Sequence, residues 1–206
     1  TDETGLAESK PLYLGKYEVR EITAPTGYVL NTEVHTAELV YAGQEVEITE
    51  TAADFCNKRQ KAAVSLDKVL EQNEQFGIGM NGEITAVTFG LFAAEDLTAA
   101  DGSIIPADGL LEILSVDENG HAVCKTDLPF GSYYLKELST DGHYILSDEE
   151  YPIVFEYAGQ NTALVEIKAN GGAPIENKLL YGEIHGLKKD EDGSGLAGAL
   201  IGLFRA

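Results

Sequence analysis

The sequence predicts an all-β chain of tandem antiparallel β-sandwiches, on three observations. Short apolar or alternating runs follow one another with turn residues between them, and no strand–helix alternation interrupts the series. The runs are rich in Tyr, Val, Ile and Leu, with Pro at their edges. The third observation is an internal repeat. GKYEVREITAPTGYVL at 15–30 is echoed by GSYYLKELSTDGHYIL at 131–146, and YAGQ occurs at 41–44 and again at 157–160. Both pairs share one offset, 116 (131 − 15 and 157 − 41). Asn57 and Asn177, and Lys68 and Lys188, are offset by 120, while FGLFA at 89–93 and IGLFR at 201–205 are offset by 112. A period near 115 residues corresponds to one small sandwich per repeat.

The phase of the repeat divides the chain. Residues 1–60 read as the C-terminal part of a first domain, 61–180 as a complete central domain, and 181–206 as the N-terminal part of a third. In the central copy, strands are expected at 62–69, 84–92, 109–116, 121–126, 132–138, 152–158, 162–168 and 174–180. Asp-Gly at 101–102, Glu-Asn-Gly at 118–120, Leu-Pro-Phe-Gly at 128–131, Asp-Gly at 141–142, Ala-Gly at 158–159 and Gly-Gly at 171–172 supply the turns. A short helix is expected only at 93–100.

Composition excludes several functions. The chain has 35 acidic against 14 basic residues, a formal charge of −21. Nucleic acid is excluded as a partner, because binding it requires Lys and Arg to neutralise phosphates. Contact with an anionic membrane surface is excluded for the same reason. No run approaches 18 apolar residues, and residues 1–10 lack the apolar core of a signal peptide. Hydrophobic residues make up 44% of the chain, too many for a disordered acidic tail. Cys56 and Cys124 read as two isolated thiols. The four His are scattered, and Asp190-Glu191-Asp192-Gly193 reads as a solvated turn, so neither a metal nor a cofactor is expected. HExxH, GxSxG and P-loop patterns are missing from the sequence.

Three polar residues fall in phase with apolar stripes. Side chains on a strand alternate between faces, so Lys68 shares a face with Ala62, Val64 and Leu66. Glu137 shares one with Tyr133 and Leu135, and Asn177 with Ile175 and Leu179. The first copy repeats the pattern with Glu21 beside Tyr17 and Val19, and with Asn57 beside Phe55; in the third, Lys188 is in phase with Ile184 and Gly186. Singly, each has an ordinary reading as a surface or turn residue. Together they would be costly in a core unless they satisfied one another. Burial disfavours both charges of a Lys–Glu pair, so the pair can hold a neutral amine and a protonated carboxyl. The amine can then attack the Asn carboxamide while the carboxyl polarises the carbonyl and moves protons. The product is a Lys–Asn isopeptide and ammonia.

The order of these residues resembles the Cna B-type domains, the prealbumin-like, reverse-immunoglobulin modules of Gram-positive surface proteins and SpaA-type pilins. GKYEVREITAPTGYVLN at 15–31 is similar to that family's E-xx-AP-x-GY motif through Glu21, Pro25, Gly27 and Tyr28. LKKDEDGSGLAGALIGLF at 187–204 is similar to its KxD…GxxLxGAxFxL opening. In the central copy Thr140-Asp141-Gly142-His143-Tyr144 replaces AP-x-GY, and neither an LPxTG signal nor a YPKN-like pilin motif is present. The resemblance implies autocatalytic Lys–Asn bonds. Lys68 and Asn177 would be the crosslinked pair and Glu137 the catalytic residue. Glu21 and Asn57 would serve the first copy, and Lys188 the third.

The expected function is a secreted, cell-surface stalk or spacer of an adhesin or pilin-like protein, anchored to the cell wall through regions outside this chain. It would be no enzyme in the turnover sense. Its partners would be neighbouring domains of the same protein, with host matrix or glycan contacted through other domains. Head-to-tail complementation between the partial domains would place Lys188 of one chain near Glu21 and Asn57 of another. The alternative is an extracellular carbohydrate- or host-protein-binding sandwich, with the Tyr-rich strand at 132–138 as its platform.

Overall fold

The computed structural model describes residues 1–99 and 101–204, leaving Ala100, Arg205 and Ala206 outside the description. Residues 1–14 carry no strand. The first hairpin pairs β1 (Gly15–Arg20) with β2 (Val34–Leu39) antiparallel, Gly15 opposite Leu39 and Arg20 opposite Val34. The strands that follow are β3 (Lys61–Leu70), β4 (Thr88–Ala93), β5 (Leu97–Thr98), β6 (Ile104–Ile105), β7 (Leu110–Ser115), β8 (His121–Val123), β9 (Gly131–Ser139), β10 (Glu150–Phe155), β11 (Leu164–Lys168) and β12 (Ile175–Asn177). Two single-turn 3₁₀ segments, Glu83–Ala86 and Ala169–Gly172, complete the described secondary structure, which contains no α-helix.

Two sheets enclose the main core. One is antiparallel, in the order β10-β9-β4-β7. The other is centred on β3 and is mixed: β8 pairs antiparallel with β3, but β11 and β12 pair with it in parallel. The parallel pairs arise because the chain crosses from β10 in the first sheet to β11 in the second, so a tight hairpin cannot set strand direction.

The period-2 alternation of the strands places the core. Val64 and Leu66 on β3, Phe89 and Leu91 on β4, Tyr133 and Leu135 on β9, Ile153 and Phe155 on β10, and Ile175 on β12 are all buried. Each such side chain removed from water contributes roughly 1.5–3 kcal/mol before entropy is counted. All 18 residues of the buried apolar cluster lie between Val64 and Ile175.

Three local expectations are corrected. The helix expected at 93–100 is not formed over the described residues. β4 continues to Ala93, and Leu97–Thr98 pairs with Ile104–Ile105. Burying Leu97 in the core outweighs the helical preference of the surrounding alanines. The strand expected at 84–92 begins only at Thr88, because Glu83 turns the chain by accepting bonds from the Asn81 and Gly79 amides. The strand expected at 121–126 stops at Val123. The Glu112 carboxylate takes the Lys125 and Thr126 amides at 2.9 and 2.8 Å, withdrawing them from any ladder.

Both cysteines are free, but their surroundings differ. Cys56 is exposed, whereas Cys124 donates to Glu112 Oε2 at 3.1 Å. Burial, reinforced by Glu112, pushes the Cys124 thiol up to about 12. A neutral-pH alkylating reagent is therefore expected to modify Cys56 at least ~100-fold faster than Cys124, because the thiolate is the reactive form. Peptide mapping of timed samples checks this; equal rates at the two positions would contradict the packing around Cys124.

Candidate functional site

Lys68 lies near the end of β3 and Asn177 ends β12, which runs beside it in the same sheet. The parallel register sets Ile175 opposite Lys68 and Asn177 opposite Leu70, so the asparagine sits one pleat beyond the lysine. Glu137 projects from β9 in the facing sheet. The three meet between the sheets. Side-chain exposure is 0% for both Lys68 and Glu137, and Asn177 is equally enclosed. Of the apolar residues that share their stripes, Val64, Leu66, Tyr133, Leu135, Ile175 and Leu179 are buried and Ala62, at the start of β3, is half-buried.

The Lys68 ammonium donates to Asn177 Oδ1 at 2.5 Å and lies 3.5 Å from Glu137 Oε1. Asn177 Nδ2 donates to both Glu137 oxygens, at 2.9 and 3.0 Å, and to Thr140 Oγ1 at 3.0 Å. The carboxyl thus faces the amide nitrogen, whereas the sequence reading had it polarising the carbonyl oxygen. The Ser147 amide donates to Glu137 Oε2 at 2.8 Å and fixes the carboxyl from behind. Burial holds Lys68 below the usual lysine range, against the opposing pull of Glu137 and then Glu176. A lysine driven toward its free amine, touching a carboxamide whose nitrogen is held by a carboxyl, is arranged for acyl transfer.

The first copy builds a similar pair without a lysine. Glu21 Oε2 accepts from Asn57 Nδ2 at 2.7 Å and from the Asn31 amide at 2.6 Å. Glu21, however, was expected to be buried and is only half-buried, as is Asn57. The reason is that the β1–β2 hairpin forms a two-stranded sheet of its own, with no second sheet among the described residues to cover it. Lys188 is exposed, and its carbonyl accepts from Leu196 within a local turn. Among the described residues it makes no hydrogen bond or ion pair with Glu21 or Asn57. Asp190 Oδ1 binds the amides of Asp192 and Ser194, an ordinary acidic turn.

Two polar residues went unassigned in the sequence, Thr140 at the site and Gln60 at the opposite end of β3. Thr140 is visible only as the residue three positions after Glu137, a relation without meaning until the chain turns at the end of β9. Gln60, buried at the entrance to β3, gives no sequence signal because it falls between repeat motifs. The Tyr-rich strand sends its two central tyrosines to opposite faces. Tyr133 is in the core, and Tyr134 stacks on Phe92 at a ring distance of 5.1 Å. No group of three or more His, Cys, Asp or Glu among the described residues is arranged to hold a metal, and no described helix is long and apolar enough to cross a membrane.

Residues 1–52 match the SpaA family of prealbumin-like fold domains. No curated protein sequence matches the chain. Among solved structures, the TIE protein of Bacillus anthracis is 20% identical, aligning over 96% of this chain and 34% of that one with a TM-score of 0.55. GBS52, the minor pilin of Streptococcus agalactiae, is 17% identical over 91% of this chain and 70% of that one, with a TM-score of 0.38. BcpA, the major pilin subunit of Bacillus cereus, is 18% identical over 57% and 29% of the two chains, with a TM-score of 0.32. The chain therefore spans about a third of the TIE protein's length. Residues 1–52 thus resemble SpaA prealbumin-like domains, and the two-sheet, all-β architecture of the described residues is a fold shared with the TIE protein.

Proposed function

We propose that this chain is a stretch of an extracellular pilin- or adhesin-like stalk whose central sandwich crosslinks itself through Lys68 and Asn177. The observation that carries the reading is the enclosed contact among Lys68, Asn177 and Glu137. In the reaction, the free amine of Lys68 attacks Asn177 Cγ and gives up one of its two protons to a Glu137 oxygen. A new C–N bond forms, the Cγ–Nδ2 bond breaks, and Glu137 passes a proton to Nδ2, which leaves as ammonia. Glu137 ends as it began. No external oxidant, nucleotide or cofactor enters the balance.

The bond would join the first strand of the central sandwich to its last. Tension entering at Lys61 and leaving after Asn177 would then pass through a covalent link instead of peeling strands from the sheets. That is the property a surface spacer needs. Intact-mass measurement tests the chemistry. The natural chain should be lighter than its sequence mass by one ammonia, and Lys68→Ala should restore the full mass. An unmodified mass for the natural chain would reject the crosslink.

The pH dependence follows from Lys68. Its folded pKa lies below the 10.5 of an ordinary lysine, so the free amine becomes the major form at a lower pH than in the unfolded chain. Crosslinking after refolding should accelerate as pH rises through that lowered value and level off before 10.5. Timed mass spectra across a pH series read this out; a rate still climbing tenfold per pH unit at 10.5 would mean that the amine is not desolvated.

A further inference from the structure

Among the described residues, Gln60 is the one buried polar side chain that the crosslink does not use. It is 2% exposed and lies where residues 1–60 join the central sandwich. Its amide nitrogen donates to the carbonyls of Gly159 and Thr162, at 3.1 and 2.6 Å. Its amide oxygen accepts from the Ala158 amide at 2.8 Å. All three partners belong to the loop that begins with the second Tyr-Ala-Gly-Gln. The same loop also reaches the first copy directly: Gln160 accepts from Leu30 N through its carbonyl and from Ala24 N through its side chain, at 2.8 and 2.9 Å.

We infer that the Tyr157–Thr162 loop is a socket for the side-chain amide of Gln60, and that this contact locks residues 15–60 and the central sandwich into one rigid body. Joined domains move relative to one another by default unless a specific or extensive interface holds them. Apolar packing across the joint is incomplete, since an open pocket of about 180 Å³ remains between Gly27, Tyr28, Gln60, Phe130 and Phe155. The carboxamide is chemically suited to the task, because it offers donors and an acceptor at once and matches two carbonyls and one amide.

The repeat provides an internal control for each half of the contact. The loop at Tyr41–Val46 makes the same turn, Val46 N to Gly43 O at 3.2 Å, as Thr162 N makes to Gly159 O at 3.2 Å. There, where no glutamine side chain from another segment docks, Tyr41 is 68% exposed, whereas Tyr157 is half-buried. The socket is therefore preformed. On the other side, Gln60 N bonds Gly27 O at 2.9 Å, and its counterpart Leu180 N bonds His143 O at 2.8 Å. The domain end keeps its backbone geometry with Leu180 in place of Gln60, and that leucine is 56% exposed. Neither half depends on the side-chain contact, so removing it should loosen the joint without unfolding either part.

The test is ¹⁵N relaxation on the full chain, natural and Gln60→Leu, with Gln60→Glu as a second variant. Leucine keeps the bulk and loses all three bonds; glutamate keeps the acceptor and sets a carboxylate against two carbonyls. In the natural chain, residues 15–60 and 61–180 should share one rotational correlation time. In both variants the value for residues 15–60 should fall by roughly twofold, as for separately tumbling domains, while the melting of the central sandwich is retained. Separate correlation times in the natural chain, or a single shared one in Gln60→Leu, would overturn the lock. The result is independent of the ammonia deficit, which reports on Lys68 and Asn177 alone.

Discussion

Glu137→Ala is expected to leave the chain at its full sequence mass and to lower its melting temperature by about 10–20 °C. The crosslink would close a loop between residues 109 apart, worth about 4–5 kcal/mol by the chain-entropy argument made for disulfides. For a chain of this size each kcal/mol shifts the melting temperature by about 2–4 °C. A further loss comes from leaving Lys68 in an enclosed site without its carboxyl partner. Lys68→Met separates the two effects, since it removes the link and the charge together while keeping an unbranched chain in the core. Calorimetry on the natural protein and both variants measures the difference. Should all three melt within a degree or two of one another, the proposed bond contributes nothing to the fold.

Gly120→Ala should be the most damaging single-methyl substitution near the site. Gly120 closes the Asp117–Gly120 turn with φ +80, a conformation that costs an alanine energy in itself. A Cβ there would lie 2.2 Å from the Lys68 carbonyl oxygen, a backbone atom on the central strand of the sheet. The neighbouring contact is equally tight, with Lys68 N donating to Gly120 O at 2.6 Å. Strand β8 would have to part from β3 at the residue that carries the proposed nucleophile. A destabilisation of about 3 kcal/mol or more follows from combined strain and overpacking. Crosslinking should slow as well, because an ångström-scale shift of Lys68 spoils its approach to Asn177. Gly186→Ala serves as the control: its Cβ would meet nothing within 4 Å, so a change within about 0.5 kcal/mol is expected. Equal melting of the two variants would show that the β3–β8 contact is softer than its geometry implies.

Much of this protein was legible from residue order. Strand alternation alone placed Lys68, Glu137 and Asn177 on the apolar faces of their strands, because the face of a strand residue depends only on whether its position is odd or even. The same alternation gave Val64, Leu66, Tyr133, Leu135, Ile175 and Leu179 as neighbours on those faces, and all are buried. The motif at 15–31 pointed to the SpaA-like fold that the match to residues 1–52 supports.

What alternation cannot supply is the relation between strands. That β12 runs parallel to β3, and that Glu137 meets Asn177 at its nitrogen, depends on which sheet each strand joins. The fate of 93–100 was decided the same way: its alanines favour a helix locally, but Leu97 gains more by entering the core. Glu21 shows the reverse case. Its sequence context matches that of Glu137, yet it is half-buried because burial requires a facing sheet. Gln60 has no motif at all, and its role exists only where the Tyr157–Thr162 loop folds back over the joint. The sequence by itself determined the strand faces, the repeat and the candidate chemistry, since these follow from local period and residue type. Pairing, burial and the joint were decided only by tertiary structure, because each depends on atoms distant along the chain.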